Sequence, residues 1–316
     1  MIFGQTMVFG QGKYTYELVE NWAKLPAGWS FVDVGGLSID ANDKIYILNR
    51  GAHPIIMMDR DGNLLGTWGE GYFKRPHGSR IVPGNNIWCT DDGRHIITRF
   101  TMDGKPLQVL GTPDKPSDTG YTPQKDLMAS LGTIRAGGPP FNRPTGIARS
   151  SKGELFATDG YGNARVHKFS AEGKLIKSWG EPGTAPGHFN LPHNIWIDKY
   201  DRLWVPDREN SRIQRFDTDG KLLDIWYDSF RPTDVYIDND ETVYVSEIRP
   251  GVSIYTIDGR LLSRWWNEEK DPKTDLFISA HAIALDSKGD IYVGGVDFTH
   301  AGIDRGAMTI RKFRRI

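Results

Sequence analysis

Three histidines occupy the same position of an internal sequence repeat, and this pattern carries the clearest chemical signal in the chain. Short phrases open successive repeats and align on one position, which holds Gly35, His77, Thr145, His193, Thr233 and His281. Histidine therefore occurs in the second, fourth and sixth repeats. If six repeats close into a ring, alternate repeats lie a third of a turn apart, so three imidazoles could approach one axis.

Three neutral imidazoles and one open coordination position form the ligand set of a catalytic zinc site. The competing interpretation is that each histidine is a polar strand residue satisfied by its neighbours, but three at one register favour a shared metal. Zinc is preferred over copper or nickel for its availability, because intrinsic affinity does not select it. The other five histidines follow no such register and are predicted to be surface or loop residues: His53, His95, His167, His188 and His300.

Other polar residues are expected to surround the histidines. The second strand of a propeller blade runs back to the face where the first strand opens. The residues that follow second strands should therefore ring the site: Arg50, Asp91, Asp92, Tyr161, Arg208, Glu247 and Asp297. The planar guanidinium groups of Arg50 and Arg208 suit a carboxylate, although an arginine in such a place can also be merely solvated. Tyr161 lies in a turn-like segment, and a phenol beside a metal can act as a base.

The elements that must position these residues form a repeat of roughly 40–50 residues, which is typical of propeller blades. The repeat beginning at Gly146 predicts strands at Glu154–Thr158, Arg165–Phe169 and Leu175–Trp179 after a first apolar run, with Gly, Asp and Asn in the turns. Six such units are present. The aligned positions predict one insertion, between His77 and Thr145, at about residues 111–142.

The two ends of the chain are predicted to share the last blade. After His281 there is room for three strands, the last at Met308–Arg314, and Tyr14–Trp22 resembles the strand that is missing. A blade built from both termini would close the ring and remove its open edges. We therefore expect an all-β, six-bladed propeller that forms a single domain over residues 1–316.

Composition narrows the classes of partner. The formal net charge of the 316 residues is −1, which gives no basis for binding nucleic acid or an acidic membrane surface. No apolar run reaches the length of a membrane span, and the first twelve residues lack the features of a signal peptide. The single cysteine, Cys89, is predicted to be a buried thiol, which is weakly consistent with a cytoplasmic protein.

The repeat resembles the NHL family of six-bladed propellers, and within it the peptidyl-α-hydroxyglycine α-amidating lyases. The resemblance is strongest from Pro144 to Phe216, in DGYGNARVHKF, GHFNLPHNIWI and DRENSRIQRF, and is weaker over the rest of the chain outside about residues 111–139. It implies a zinc ion bound by His77, His193 and His281. It further implies that Tyr161 is the active-site tyrosine and that Arg50 and Arg208 bind the substrate.

Two departures from the pattern of that family matter. Around the third histidine the family has Met-Pro-His-Asp, whereas this chain has Ser279-Ala280-His281-Ala282. The family's aspartate is a ligand of a structural calcium, and Ala282 offers no side-chain oxygen to an ion that prefers 6–8 oxygen ligands. We therefore expect calcium to be absent or weakly bound. Ser279 in place of methionine changes the pocket wall and leaves the identity of the substrate open.

The leading hypothesis is a zinc-dependent lyase that cleaves the C–N bond of an N-acyl carbinolamine, giving an amide and an aldehyde such as glyoxylate. The substrate would be either a peptide ending in α-hydroxyglycine or a small hydroxylated amide. One alternative is a metal-dependent hydrolase of lactones, esters or amides that uses the same three histidines. The other alternative is a non-enzymatic propeller that serves as a binding platform for a protein partner.

Overall fold

The computed structural model describes residues 7–82, 84–248, 251–266 and 276–316. The first six residues of the N-terminal segment considered above lie outside the described residues. Strands dominate, and they are, in chain order, β1 (Val8–Gln11), β2 (Tyr14–Val19), β3 (Val34–Ile39), β4 (Ile45–Asn49), β5 (Ile55–Met58), β6 (Leu64–Trp68), β7 (Pro76–Val82), β8 (Asn86–Asp91), β9 (Ile96–Thr101), β10 (Pro106–Gly111), β11 (Pro144–Arg149), β12 (Leu155–Asp159), β13 (Arg165–Phe169), β14 (Leu175–Trp179), β15 (Trp196–Ile197), β16 (Leu203–Asp207), β17 (Arg212–Phe216), β18 (Leu222–Trp226), β19 (Pro232–Ile237), β20 (Val243–Glu247), β21 (Gly251–Tyr255), β22 (Leu261–Trp266), β23 (Ala280–Leu285), β24 (Ile291–Gly295) and β25 (Ile310–Arg315).

Helices are short. The described part of the chain has α1 (Leu127–Leu131) and α2 (Asp297–Ala301), together with 3-10 turns at Arg208–Asn210 and Gly306–Thr309. Within the same residues, no helix has both the length and the apolar character needed to cross a membrane. The helix α1 lies in the predicted insertion, where Asp126 caps its first turn by accepting a hydrogen bond from the Ala129 amide.

The strands form six antiparallel sheets, which are the blades of a six-bladed β-propeller. Five are four-stranded meanders, in the orders β3-β4-β5-β6, β10-β9-β8-β7, β11-β12-β13-β14, β15-β16-β17-β18 and β19-β20-β21-β22. Strands predicted for the repeat at Gly146 are found within one residue of their expected bounds. They form because β-branched and aromatic residues alternate between turns that contain Gly, Asp and Asn.

The sixth sheet is built from both ends of the chain, in the order β1-β2-β25-β24-β23. Strand β2 pairs with β25 in antiparallel register, with Leu18 opposite Phe313. The predicted closing strand is therefore confirmed, although it ends at Val19 rather than Trp22. Strand β1, which pairs with β2, adds a fifth strand that the repeat does not predict.

By internal contacts the chain divides into two compact units, residues 68–235 and residues 1–67 with 236–316. In the first unit, one apolar cluster joins Trp88 and Ile97 to Phe141 and Leu155, and another surrounds Phe156, Phe189 and Phe216. In the second unit, Tyr16, Trp265 and Phe313 lie in one cluster, and Phe31, Val34 and Tyr292 lie in another. Each cluster combines residues from more than one sheet.

Candidate active site

His77 and His193 are buried in the unit formed by residues 68–235. His77 lies in β7 where the strand register shifts between Pro76 and Ser79, which is a β-bulge. His193 precedes β15, and its amide donates to the Pro206 carbonyl at 2.8 Å. A bulge leaves one residue outside regular strand pairing and can redirect its side chain. The irregular pairing at His77 and the position of His193 before β15 thus free both side chains from the alternation of a regular strand.

The tautomer of both rings follows from their hydrogen bonds. His77 Nδ1 lies 2.8 Å from the Thr145 carbonyl oxygen, and His193 Nδ1 lies 2.8 Å from the Thr233 carbonyl oxygen. A carbonyl oxygen only accepts, so Nδ1 carries the proton and Nε2 carries the lone pair. Such a bond is also the usual support of a metal-ligating histidine. The candidate ligand nitrogens of His77 and His193 lie within 4.8 Å of one another.

His281 has the same local arrangement in the other unit. It lies in β23 at a register shift between Ala280 and Ala282, and its Nδ1 is 3.1 Å from the Gly35 carbonyl oxygen. Gly35, Thr145 and Thr233 are the non-histidine residues at the aligned position of the repeat. Each of the three histidines therefore donates to the carbonyl of the corresponding residue of another repeat. His281 is buried, as are His77 and His193.

The Tyr161 hydroxyl lies between His77 and His193. Its oxygen is 3.2 Å from His77 Nε2 and 3.1 Å from His193 Nε2, and Arg208 Nη1 donates to it at 3.4 Å. The hydroxyl has one proton, whereas two nitrogen lone pairs face it. The remaining nitrogen lone pair can coordinate a cation. Imidazole nitrogens suit transition metals such as zinc and copper.

Three guanidinium groups surround the ring of Tyr161. The central carbons of Arg75, Arg143 and Arg208 lie 5.3, 5.2 and 5.6 Å from its centroid. These distances are within the range of cation–π contacts. Two neutral imidazoles, one phenol and three guanidinium groups therefore meet at Tyr161, and Asp92 and Glu209 offset part of the positive charge. Guanidinium groups in this arrangement suit an anionic ligand.

Arg208 is almost fully buried and is held by Glu209. Arg208 Nε donates to Glu209 Oε1 at 2.8 Å, and Arg231 also donates to both carboxylate oxygens, at 2.7 and 2.9 Å. Burial by itself would raise the pKa of Glu209, but the charges of Arg208 and Arg231 outweigh it and the pKa is lowered. Glu209 therefore stays ionised and fixes the orientation of the Arg208 fork.

Arg75 and Arg143 belong to the site but were not singled out from the sequence. Asp92, one of the expected surrounding residues, forms ion pairs with both. Each arginine precedes a proline and lies two residues before the aligned position, so the recurring Arg-Pro pair was the available signal. Arg143 has a φ of 68°, in the left-handed region, which helps to direct its side chain.

The remaining expected residues are placed as follows. Arg50 lies in the unit that contains His281, where its Nη1 is 3.5 Å from Asp33 and 3.3 Å from Thr299 Oγ1. Asp91 accepts hydrogen bonds from the amides of Lys74 and Arg75 and so fixes a loop. Glu247 accepts from Ser253 Oγ at 2.8 Å. These contacts give Asp91 and Glu247 structural roles.

Asp297, also expected near the histidines, lies in a buried polar group of the second unit. Its carboxylate accepts from the Ser279 amide at 3.3 Å and is 3.6 Å from Arg305. Burial raises the pKa of Asp297 to about 6, against the opposing charge of Arg305.

His167 corrects the prediction that the five other histidines lie at the surface or in loops. It is fully buried in β13, where Nδ1 contacts Ser178 Oγ at 2.8 Å and Nε2 is 3.6 Å from Asp159. The prediction was wrong because His167 occupies an inward-facing position of a strand that is buried along most of its length. His167 supports packing beside Phe141 and Phe169.

The inserted segment contacts the residues around Tyr161 through α1 and through residues 119–121. Leu131 of α1 packs in one cluster with Tyr161 and Leu191. Tyr121 lies 2.9 Å from Arg143 Nη1, and Thr119 Oγ1 donates to the Gly162 carbonyl at 2.5 Å. The insertion is therefore ordered against the residues around Tyr161.

Ala282, which replaces the family's calcium-binding aspartate, is buried in an apolar cluster with Val34, Leu37 and Tyr292.

Comparison with known sequences gives related proteins of two kinds. The NHL repeat family matches residues 141–169. NHL repeat-containing protein 3 of Homo sapiens is 31% identical over 234 residues, which cover 69% of this chain and 61% of that protein. Peptidyl-alpha-hydroxyglycine alpha-amidating lyase 1 of Drosophila melanogaster is 32% identical over 167 residues, covering 49% of this chain and 27% of that protein. The chain spans 61% and 53% of the length of the human and mouse NHL repeat-containing protein 3.

Solved structures share the fold at low sequence identity. A gluconolactonase from Xanthomonas campestris superposes with a TM-score of 0.65 at 14% identity, covering 99% of this chain and 95% of that one. A streptogramin B lyase superposes with a TM-score of 0.59 at 15% identity, covering 95% and 97%. The solved structures show the β-propeller fold, and the sequence matches show that the chain carries an NHL repeat at residues 141–169 and resembles NHL repeat-containing protein 3 and the peptidyl-α-hydroxyglycine α-amidating lyases.

Proposed function

We propose that the protein is a zinc-dependent lyase that cleaves the C–N bond of an N-acyl carbinolamine. An N-acyl-α-hydroxyglycine would give the primary amide and glyoxylate, with no other reactant. The observation that carries the proposal is the position of the Tyr161 hydroxyl, within 3.2 Å of two Nε2 atoms and in contact with Arg208. Sequence likeness to amidating lyases supports the same chemistry.

In this proposal His77, His193 and His281 bind the zinc ion through Nε2. Support comes from their equivalent positions in the repeat and from the carbonyl that holds Nδ1 of each ring. A bound zinc ion supplies Lewis acidity, which makes the carbinol hydroxyl a stronger acid and orients it.

The protein's own residues then have distinct tasks. Arg208, already fixed by Glu209, binds the substrate carboxylate through its planar fork, with Arg75 and Arg143 adding positive charge. Tyr161, as the phenolate, takes the proton from the carbinol hydroxyl. The electron pair left on that oxygen forms the second bond of the aldehyde carbonyl as the C–N bond breaks, and the amide nitrogen, which keeps the C–N electrons, receives the proton from Tyr161. We assign Arg50 a second contact with the carboxylate, for which it must adjust its pairing with Asp33 and Thr299.

The proposal is tested by measuring glyoxylate release from N-acyl-α-hydroxyglycines. Tyr161→Phe keeps the ring but removes the proton acceptor, so turnover should fall by roughly 10²–10⁴ while the metal content is unchanged. Tyr200→Phe is the matched control, because Tyr200 is an exposed tyrosine of the same unit. Arg208→Lys should raise KM for substrates that carry a carboxylate more than for carbinolamides that lack it.

Two outcomes would overturn the lyase. One is equal turnover of every active carbinolamide by the Tyr161→Phe variant and the unmodified protein. The other is hydrolysis of simple esters or lactones with no carbinolamide turned over, which would establish the hydrolase alternative. Absence of activity on all of these substrates, together with no bound metal, would favour the binding platform.

A further inference from the structure

A buried imidazole and a buried carboxylate lie next to the turn that carries Tyr161, and the function proposed above uses neither. Asp159 is the last residue of β12, His167 lies on the neighbouring strand β13, and both side chains are fully buried. Nε2 of His167 is 3.6 Å from Asp159 Oδ2. A carboxylate removed from water needs N–H donors or a positive charge close by, because its burial is otherwise costly.

The next blade shows how a carboxylate at the same position is satisfied. Asp207 ends β16 as Asp159 ends β12, and each lies opposite an arginine in the strand register. Gln214 therefore corresponds to His167, two residues further along the partner strand. Arg212 Nε donates to Asp207 Oδ2 at 2.7 Å, and Gln214 Nε2 donates to the same oxygen at 3.1 Å. Asp207 thus has both a guanidinium group and an amide as partners.

Asp159 has no guanidinium partner among the described residues, and an imidazole replaces the amide. The arginine opposite it, Arg165, forms an ion pair with Glu181 instead. Nδ1 of His167 lies 2.8 Å from Ser178 Oγ. A hydroxyl that donates to Nδ1 places the ring proton on Nε2, where an N–H rather than a lone pair faces the carboxylate. His167 is therefore the residue of β13 that offers an N–H to Asp159.

A second histidine near Asp159 does not supply a positive charge. Burial lowers the pKa of His95, and Asp159 acts in the opposite direction without reversing the shift. Nδ1 of His95 accepts a hydrogen bond from the Arg143 amide at 3.1 Å, which requires a lone pair on that nitrogen. His95 is thus neutral, and His167 is the histidine that can stabilise the Asp159 carboxylate.

The Asp159 carboxylate in turn holds the chain on both sides of Tyr161. Its Oδ2 accepts from the Asn142 amide at 2.7 Å and from Asn163 Nδ2 at 2.8 Å. The Asn142 carbonyl accepts from the amide of Gly162, the residue directly after Tyr161, at 2.9 Å. One carboxylate therefore ties the end of the inserted segment to the turn that presents the Tyr161 hydroxyl.

We infer that Asp159 and His167 are positioning residues for Tyr161. The Nε2–H of His167 stabilises the Asp159 carboxylate, and the carboxylate fixes the turn that sets where the Tyr161 hydroxyl lies. Both residues act through the turn rather than on the substrate. The inference rests on the proposed function for its effect on turnover, whereas the placement of the tyrosine ring is measured without any substrate.

Two substitutions of His167 separate the N–H from the bulk of the ring. His167→Leu removes the N–H and keeps a buried side chain, whereas His167→Gln installs the amide that Gln214 provides in the next blade. For His167→Leu, kcat for glyoxylate release from an N-acyl-α-hydroxyglycine should fall roughly 10–100-fold, because the proton acceptor is displaced. KM should change less than about threefold, since the substrate-binding arginines remain. His167→Gln should recover kcat to within about threefold of the unmodified protein.

Fluorine NMR of protein labelled with 3-fluorotyrosine reports the environment of the Tyr161 ring, and loss of one signal in Tyr161→Phe assigns it. His167→Leu should shift or broaden this signal, and His167→Gln should leave it in place. Ser253→Ala is the matched control, because Ser253 is the corresponding residue of β21 and donates to Glu247 at 2.8 Å in a blade without Tyr161. This control should leave both the signal and kcat unchanged.

Should His167→Leu fail to fold, Ser178→Ala makes the same test, because it removes the hydroxyl that orients the ring and keeps the imidazole. The inference is wrong if the folded variant leaves the Tyr161 signal unchanged or, in a protein that cleaves carbinolamides, leaves kcat unchanged. It is also wrong if His167→Gln is as impaired as His167→Leu, or if Ser253→Ala moves the signal as far. A signal that moves as expected in a protein that cleaves no carbinolamide would overturn the lyase alone and leave the positioning role standing.

Discussion

Tyr161 is the residue where the local interactions of the site converge. Its hydroxyl contacts two imidazoles and one guanidinium group, and its ring packs against Leu131 and Leu191. Each imidazole depends in turn on a backbone carbonyl, which fixes the tautomer and leaves Nε2 as the ligand atom. We therefore expect substitution of a histidine to reduce metal binding, and substitution of Tyr161 to reduce proton transfer while leaving the metal bound.

At this scale the sharpest prediction concerns the metal. His193→Ala removes one of the three proposed ligands and should remove most of the zinc from protein purified without added metal. His300→Ala should retain the metal, because His300 is an exposed residue of α2. Elemental analysis of both variants and the unmodified protein gives the metal content.

Retention of a full equivalent of zinc by the His193→Ala variant would disprove this ligand set. The same measurement tests calcium, which should fall well below one equivalent because Ala282 offers no side-chain oxygen to the ion. A tightly held equivalent of calcium would contradict that expectation.

At the scale of the elements, β-bulges at the start of first strands organise the site. Register shifts fall at Gly35, His77, Thr145 and His281 in β3, β7, β11 and β23. Close strand approach is also required, since a Cβ on Gly78 would lie 2.4 Å from the Thr145 carbonyl oxygen. That oxygen is the one that holds His77. Glycine at position 78 therefore permits the contact that orients the histidine.

The terminal strand makes a second prediction at this scale. Deleting residues 1–22 removes β1 and β2 and so exposes the edge of β25, which pairs with β2. The deletion also removes Tyr16 from the cluster that contains Trp265 and Phe313. Aggregation or a large fall in Tm is expected, because an unpaired strand edge and an apolar face become exposed together.

Differential scanning calorimetry and light scattering on the truncated and full chains measure these effects. If both chains melt at the same temperature and remain monodisperse, the closing strand does not stabilise the sheet.

At the scale of the whole molecule, a recurring pair joins an aspartate in a turn to an aromatic residue six positions later. Asp198 accepts from Trp204 Nε1 at 2.9 Å, Asp238 accepts from the Tyr244 hydroxyl at 3.1 Å, and Asp286 accepts from the Tyr292 hydroxyl at 3.0 Å. Asp40 and Tyr46 form a longer version at 3.4 Å. The pair recurs because the same meander recurs.

Buried tyrosines predict how stability depends on alkaline pH. Burial raises the pKa of Tyr16 and of Tyr46 to about 12, in the case of Tyr46 with the added effect of Asp40. The unfolded chain ionises its tyrosines near pH 10, so it loses protons before the folded chain does. The free energy of unfolding should therefore be undiminished by these groups below pH 10 and fall as the pH rises from about 10 to 12.

Urea unfolding at a series of alkaline pH values measures this loss. Tyr46→Phe should remove part of the dependence, because it deletes one shifted group, whereas Tyr200→Phe should leave it unchanged because Tyr200 is exposed. A free energy of unfolding that stays constant from pH 10 to 12 would contradict the prediction.

The sequence alone determined the blade pattern and the aligned histidines. Alternating apolar residues between Gly, Asp and Asn turns are local properties, so strands such as Arg165–Phe169 could be predicted within a residue. The repeat also predicted that Tyr14–Trp22 completes the last sheet, and β2 confirms it. These predictions succeed because the period of a strand and the spacing of a repeat depend only on the order of residues along the chain.

Only the tertiary structure decided which side chains meet. Arg75 and Arg143 join Tyr161 because of a bulge, a left-handed φ at Arg143 and pairing with Asp92, none of which follows from strand periodicity. The burial of His167 and the packing of Leu131 against Tyr161 likewise depend on contacts between residues far apart in the chain. Sequence patterns specify the period of a side chain, whereas its partners are set by how separate strands and loops pack together.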